Sequence, residues 1–208
     1  MNEHFGLYLI LTNPISGYEK AAEAAVNEDV RYLQLRMKQA DRTRSLATAK
    51  ALRRITQGSN THLIINDNLQ IAMEVDADGL HLGQNDQSIL AARTTWNKKG
   101  KIYGLSTHSM AQAIQASELQ PDYIGIGPVF PTPTKSDTAP ALGVCEAGRI
   151  AAETPITSVV IGGVNEHNLP DLLKAGATNY CVVRAVNLAP NPALAIRHLQ
   201  AIWKTHAF

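Results

Sequence analysis

Cysteine is scarce in this 208-residue chain: only Cys145 and Cys181 are present, which leaves no basis for a disulfide framework. Cys181 sits in the apolar run Tyr180-Cys181-Val182-Val183, where a small buried hydrophobe is the expected role rather than a disulfide or metal ligand. Charge bias is absent too. The 19 basic and 18 acidic residues give a formal charge of +1, so there is no electrostatic footprint for nucleic acid or anionic lipid, and any anion binding must be local to a site. No apolar run approaches the roughly 20 residues that span a bilayer. Met1 to Ile10 show no basic segment ahead of a long apolar one, so no secretory signal is expected and the cytoplasm is the expected compartment. Nor does the chain have the weak hydrophobicity and charge excess of disorder, being 45% hydrophobic and 18% charged. Small-molecule substrates are the expected partners, with no nucleic acid and no membrane, and a homo-oligomer is left open.

The length suits about one domain that buries roughly 70% of its unfolded surface. Eight apolar runs cross it without a linker: Leu7 to Leu11, Tyr32 to Leu35, His62 to Ile65, Gly79 to Leu82, Ile102 to Leu105, Tyr123 to Ile126, Thr157 to Ile161 and Asn179 to Val183. Between them lie helical spacings such as Arg44 to Ile55 and Asn168 to Ala175, the latter ending at a predicted left-handed stop, Gly176. Strands alternating with helices argue parallel pairing. The expected fold is α/β, a single (β/α)8 TIM barrel over residues 1–208. An open doubly wound sheet is the alternative, although no G-x-G-x-x-G fingerprint follows the first strand.

In either fold the ligand site lies at the carboxyl ends of the strands, and those ends are polar. Arg36 and Lys38 are two apart after the second run, so alternation can turn both cations to one side, and Lys135 adds a third from another loop. Converging cations suit a diphosphate; plain surface charge is the other reading. Asp67 and Asp86 also follow strands, and two carboxylates among cations suit a hard divalent ion. For Asp86, helix capping before Gln87-Ser88-Ile89 stays open. Gly162-Gly163 and Val183-Arg184 follow the last two strands, where barrels commonly hold phosphate. Pro128 to Gly143 is a long loop that reads as a closing lid or as plain connection. His81 reads as a satisfied interior histidine, and His108 as either a site residue or a helix start. No nucleophile elbow and no Ser-His-Asp order is visible.

Several segments together resemble the thiamine phosphate synthase family: Gln34-Leu35-Arg36-Met37-Lys38, Ile65-Asn66-Asp67, His81-Leu82-Gly83-Gln84-Asn85-Asp86, Gly104-Leu105-Ser106-Thr107-His108, the stretch Gly127 to Lys135, and Ile161-Gly162-Gly163. They occur in family order over nearly the whole chain. The resemblance implies a transferase that joins hydroxymethylpyrimidine diphosphate to hydroxyethylthiazole phosphate, with Mg²⁺ as cofactor. It implies that Gln34, Arg36, Lys38, Asn66, Ser106 and Lys135 bind the pyrimidine diphosphate, with Arg36, Lys38 and Lys135 acting in catalysis. Asp67 and Asp86 would hold Mg²⁺, and Thr132, Thr134, Gly163, Val183 and Arg184 the thiazole phosphate. The implied chemistry is dissociative, with diphosphate leaving before the thiazole nitrogen attacks.

Two positions depart from the family pattern. Met37 replaces a common glutamate at a position that alternation turns away from the site. Arg184 stands where many members have serine, which leaves its contact with the phosphate open. A thiazole tautomerase is the alternative enzyme, and a non-catalytic phosphate sensor is the alternative outside enzymes. The tautomerase generally lacks the carboxylate and lysine-loop pattern, whereas a sensor would leave Arg36, Lys38 and both carboxylates without purpose.

Overall fold

A computed structural model describes residues 3–134 and 140–206. Eight parallel strands close into a barrel in chain order: β1 (Leu7–Leu11), β2 (Tyr32–Leu35), β3 (His62–Asn66), β4 (Gly79–Leu82), β5 (Ile102–Thr107), β6 (Tyr123–Ile126), β7 (Ser158–Ile161) and β8 (Tyr180–Val182). The eighth strand returns to the first, pairing Tyr180 with Leu7 and Val182 with Leu9, so the sheet has no free edge and the open-sheet alternative is set aside. The helices are α1 (Tyr18–Asn27), α2 (Arg42–Thr56), α3 (Leu69–Glu74), α4 (Ile89–Thr95), α5 (Met110–Leu119), α6 (Gly143–Glu153), α7 (Leu169–Lys174), α8 (Arg184–Asn187) and α9 (Pro192–His206). Among the described residues, no helix is long and apolar enough to cross a membrane.

The strands are buried on both faces, which is why they read as continuous apolar runs. Alternation sorts their side chains into two cores. Leu7, Leu9, Leu33, Leu63, Leu80 and Ile124 pack outward against the helices, whereas Tyr8, Ile10, Tyr32, Ile64, Tyr123, Val159 and Cys181 fill the barrel interior. Cys181 is therefore a buried packing residue, while Cys145 is exposed. Two buried asparagines latch the seam between the ends of the barrel. Asn179 accepts from the backbone N–H groups of Phe5 and Gly6 below the sheet, and Asn187 accepts from Thr12 N–H while donating to Ile10 C=O above it.

Helix starts are set by small polar side chains. Asp41, Asn68, Ser88 and Ser109 each accept from the backbone N–H three residues on, opening α2, α3, α4 and α5 just beyond the strand ends. Gly176, at φ 97°, ends the α7 segment in the left-handed region, as the sequence predicts.

Candidate active site

The carboxyl ends of the strands surround a cavity of about 530 Å³. Its lining includes Gln34, Arg36, Lys38, Asn66, Asp67, Asp86, Ser106, Thr132, Thr134, Gly163, Val183 and Arg184, so every described candidate from the sequence reaches one place. Lys135, and with it part of the Pro128 to Gly143 loop read as a lid, lies outside the described residues. The closed strand order separates the lining into two opposed arcs. Arg36, Lys38, Asn66, Asp67 and Asp86 rise from β2, β3 and β4, and Thr132, Gly163, Val183 and Arg184 rise from β6, β7 and β8.

On the first arc, charges meet at short range. Lys38 Nζ lies 2.9 Å from Asp67 Oδ2, and Met37 between the two cations packs against the outer core, as alternation predicts. Asp67 has φ 61°, a left-handed conformation that aspartate tolerates better than most residues, and its N–H donates to His81 C=O at 2.9 Å. Burial pushes the Asp67 carboxyl above its usual range; the adjacent Asp86 adds to this, against the pull of Lys38. Burial also opposes charge on Asp86, but its hydrogen bonds with Asp67 and the Gly83 N–H, the latter at 2.7 Å, hold it below the usual range. Burial lowers the Arg36 guanidinium, and the nearby Asp67 charge counters it.

The capping role left open for Asp86 goes instead to Ser88, whose side chain accepts from Ala91 N–H. Asp86 folds back on Gly83 and faces Asp67. Two neighbouring carboxylates that perturb each other in opposite directions make a pairing that a hard divalent cation would relieve. Among the described residues, no group of three or more histidine, cysteine or carboxylate side chains could hold a metal. That donor set fits Mg²⁺, which takes one or two carboxylates and completes its shell with water and substrate phosphate, better than a metal that needs a full protein cage.

On the second arc the backbone does the work. Gly162 and Gly163 have φ 104° and 71°, and a Cβ on Gly163 would stand 2.7 Å from Phe130 Cβ. Only glycine lets the β7 loop pass this close to the β6 loop where the two line the cavity. Thr132 and Thr134 hydroxyls lie 3.2 Å apart on that β6 loop. Val183 precedes α8, and Arg184 opens it as an exposed side chain at the cavity wall.

Sequence reasoning placed His81 inside the barrel correctly: its Nδ1 is 3.0 Å from Tyr123 Oη and its Nε2 is 2.9 Å from Ser106 Oγ. For His108 the sequence admits two roles, site residue or helix start. His108 lines the cavity, its Nδ1 2.6 Å from Gly127 C=O, just ahead of the Ser109 cap. The tyrosines under the cavity were not anticipated as polar partners, because their pairing depends on a register that only the closed barrel supplies.

A family model described as thiamine monophosphate synthase matches residues 7–186. The thiamine-phosphate synthase of Chloroflexus aurantiacus is 35% identical over 199 residues, covering 94% of this chain and 91% of that protein. That of Syntrophomonas wolfei is 36% identical over 207 residues, covering 98% and 99%. Among solved structures, thiamine phosphate pyrophosphorylase from Pyrococcus furiosus superposes with a TM-score of 0.89 at 28% identity, covering 99% of this chain and 98% of that one. The 3-hexulose-6-phosphate synthase of Salmonella typhimurium, at 15% identity and a TM-score of 0.74 over 97% and 99%, shares the fold alone. Matched along most of its length by one family's model and by synthases of that name, this chain belongs to the thiamine monophosphate synthase family and is one of its transferases.

Proposed function

We propose that this transferase condenses 4-amino-2-methyl-5-(diphosphooxymethyl)pyrimidine with 4-methyl-5-(2-phosphooxyethyl)thiazole, giving thiamine phosphate and diphosphate. The observation that carries this reading is the opposed placement of two arcs, each with a cationic side chain, around one cavity. Arg36 and Lys38 stand with paired carboxylates on one side, and Gly162 and Gly163, which have no side chain to cover their backbone, stand with Arg184 on the other. A substrate with a diphosphate and a substrate with a monophosphate can then face each other across the barrel mouth.

In the proposed reaction the bond between the pyrimidine methylene carbon and the diphosphate oxygen breaks first, its electron pair leaving with diphosphate. The thiazole nitrogen lone pair then forms the new carbon–nitrogen bond to the pyrimidinylmethyl cation. Arg36 and Lys38 stabilise charge as it develops on the leaving group, and Lys135 is assigned the same task by its place in the family motif. Such preorganised electrostatics needs no general base. Mg²⁺ held by Asp67 and Asp86 would add hard positive charge at the departing diphosphate. Gln34, Asn66 and Ser106 hold the pyrimidine, while Thr132, Thr134, Gly163, Val183 and Arg184 anchor the thiazole phosphate.

Calorimetric titration with the pyrimidine diphosphate, with and without Mg²⁺, tests this assignment. Binding should tighten by about tenfold or more when the ion is present, as expected when a charge-assisted contact is gained. Binding indifferent to Mg²⁺ would contradict the role given to the two carboxylates.

A further inference from the structure

Beneath the cavity, side chains from five strands form one unbroken hydrogen-bonded chain. Gln34 Nε2 donates to Tyr8 Oη at 2.9 Å, and Tyr8 Oη lies 2.7 Å from Tyr123 Oη. Tyr123 Oη is 3.0 Å from His81 Nδ1, and His81 Nε2 is 2.9 Å from Ser106 Oγ. The two ends, Gln34 and Ser106, line the cavity together with His81, whereas Tyr8 and Tyr123 are only 2% and 3% exposed. Room for the chain is built in. A Cβ on Gly104 would collide with the Tyr123 ring and hydroxyl and come within 2.6 Å of His81 Nδ1.

Proton counting gives this chain a direction. Tyr8 accepts from Gln34, so its single proton goes to Tyr123. Tyr123, having accepted, donates to His81 Nδ1. An acceptor at Nδ1 is what the buried Tyr123 hydroxyl needs, since an unsatisfied hydroxyl is costly in a dry interior. His81 therefore carries its proton on Nε2 and donates to Ser106, whose own hydroxyl proton is left for the cavity. Gln34, with Nε2 turned inward, offers Oε1. Reversing either end requires every link to reverse.

We propose that the Tyr8–Tyr123–His81 relay sets substrate specificity by coupling Gln34 to Ser106, so that the cavity presents an acceptor at one and a hydroxyl donor at the other. This inference rests on the pyrimidine reading above. A 4-aminopyrimidine edge offers an amino donor beside a ring-nitrogen acceptor and matches that pair. A 4-oxopyrimidine offers a carbonyl acceptor beside an N–H donor and opposes it. Tyr8, Tyr123 and His81 are positioning residues, acting on the substrate through Gln34 and Ser106.

The test is calorimetric binding of the 4-aminopyrimidine diphosphate and its 4-oxo counterpart, with Mg²⁺, to the full chain and to Tyr123→Phe and Tyr8→Phe, alongside thermal melts. The full chain should select the amino form. Each variant cuts the relay at a different link and should lower the amino-to-oxo affinity ratio by about tenfold, the worth of one misdirected hydrogen bond, while thiazole phosphate affinity holds. An unchanged ratio in a folded variant overturns the proposal, and so does an equal loss for both pyrimidines, which is what general loosening produces. If one variant does not fold, the other decides. Binding of neither pyrimidine by the full chain defeats the functional reading itself, whereas binding of both without preference defeats only the relay.

Discussion

Lys38 Nζ lies 2.9 Å from Asp67 Oδ2, so a cation proposed for the leaving diphosphate is paired directly with a carboxylate proposed for the metal. The pair holds the two side chains in register with one another, and on the proposed reading a diphosphate and a divalent cation would each offer one of them a further partner. Asp67 would gain a hard cation and Lys38 a phosphate oxygen.

Asp67→Asn should therefore shift the Mg²⁺ titration of turnover upward by about tenfold or more, because a neutral amide is a poor ligand for a hard ion. Steady-state rates measured across a magnesium series check it. A titration that superposes on that of the unaltered chain removes Asp67 from the metal shell.

Gly163→Ala should lower stability by about 1–3 kcal/mol, the cost of forcing a side chain into a left-handed backbone, since φ here is 71° and the new Cβ would stand 2.7 Å from Phe130 Cβ. Thiazole phosphate KM should rise in parallel. Urea unfolding and kinetics on the same preparation check both. A variant with unchanged stability and KM would mean that the β7 loop has room that the geometry denies it.

Arg184→Ser should raise the KM for thiazole phosphate about tenfold, the scale of one lost charge-assisted hydrogen bond, with little change in kcat. Arg184 is exposed at the cavity wall, on the arc opposite Arg36 and Lys38, to which the leaving diphosphate is proposed to bind. A fall in kcat at unchanged KM would place it in the chemistry rather than in binding.

Away from the site, Asp76 is held near a pKa of about 2, chiefly by the Lys101 ammonium and then by Lys98, each with Nζ 2.7 Å from Oδ1. A depressed carboxyl contributes stability above its unfolded value of 3.8, and that contribution is lost as pH falls through about 2. Asp76 is half exposed, so screening limits the effect to less than about 1 kcal/mol. Asp76→Asn should be less stable than the unaltered chain at pH 5, with the gap closing as pH drops from 4 toward 2. Denaturation midpoints across that range check the sign; a gap that widens on acidification contradicts it.

Much of the barrel is legible in the sequence because each strand, buried on both faces, appears as an apolar run. Tyr32–Leu35 and Tyr123–Ile126 coincide with the observed strands to the residue. The run at Ile102 extends two residues further, to Thr107, because both added residues are polar: Ser106 faces the cavity, and Thr107 is buried with its hydroxyl donating to Gly125 C=O. Arg36, Asp67 and Gly163 are legible as site residues since each follows an apolar run, and position after a strand is what a barrel converts into a shared mouth. Asp86 was ambiguous for a local reason: Ser88, two residues on, competes for the cap, and only the fold of the Gly83–Asp86 turn decides between them. The Gln34–Tyr8–Tyr123–His81–Ser106 chain was not legible at all. Tyr8 and Tyr123 are 115 positions apart, and their contact is created by closure.

The central claim is tested most directly by supplying purified protein with both substrates and measuring thiamine phosphate, once with Mg²⁺ and once with a chelator. Product that forms with the ion and is abolished by the chelator is the predicted result. Absence of product under both conditions, with thiazole phosphate still bound tightly, would contradict the account.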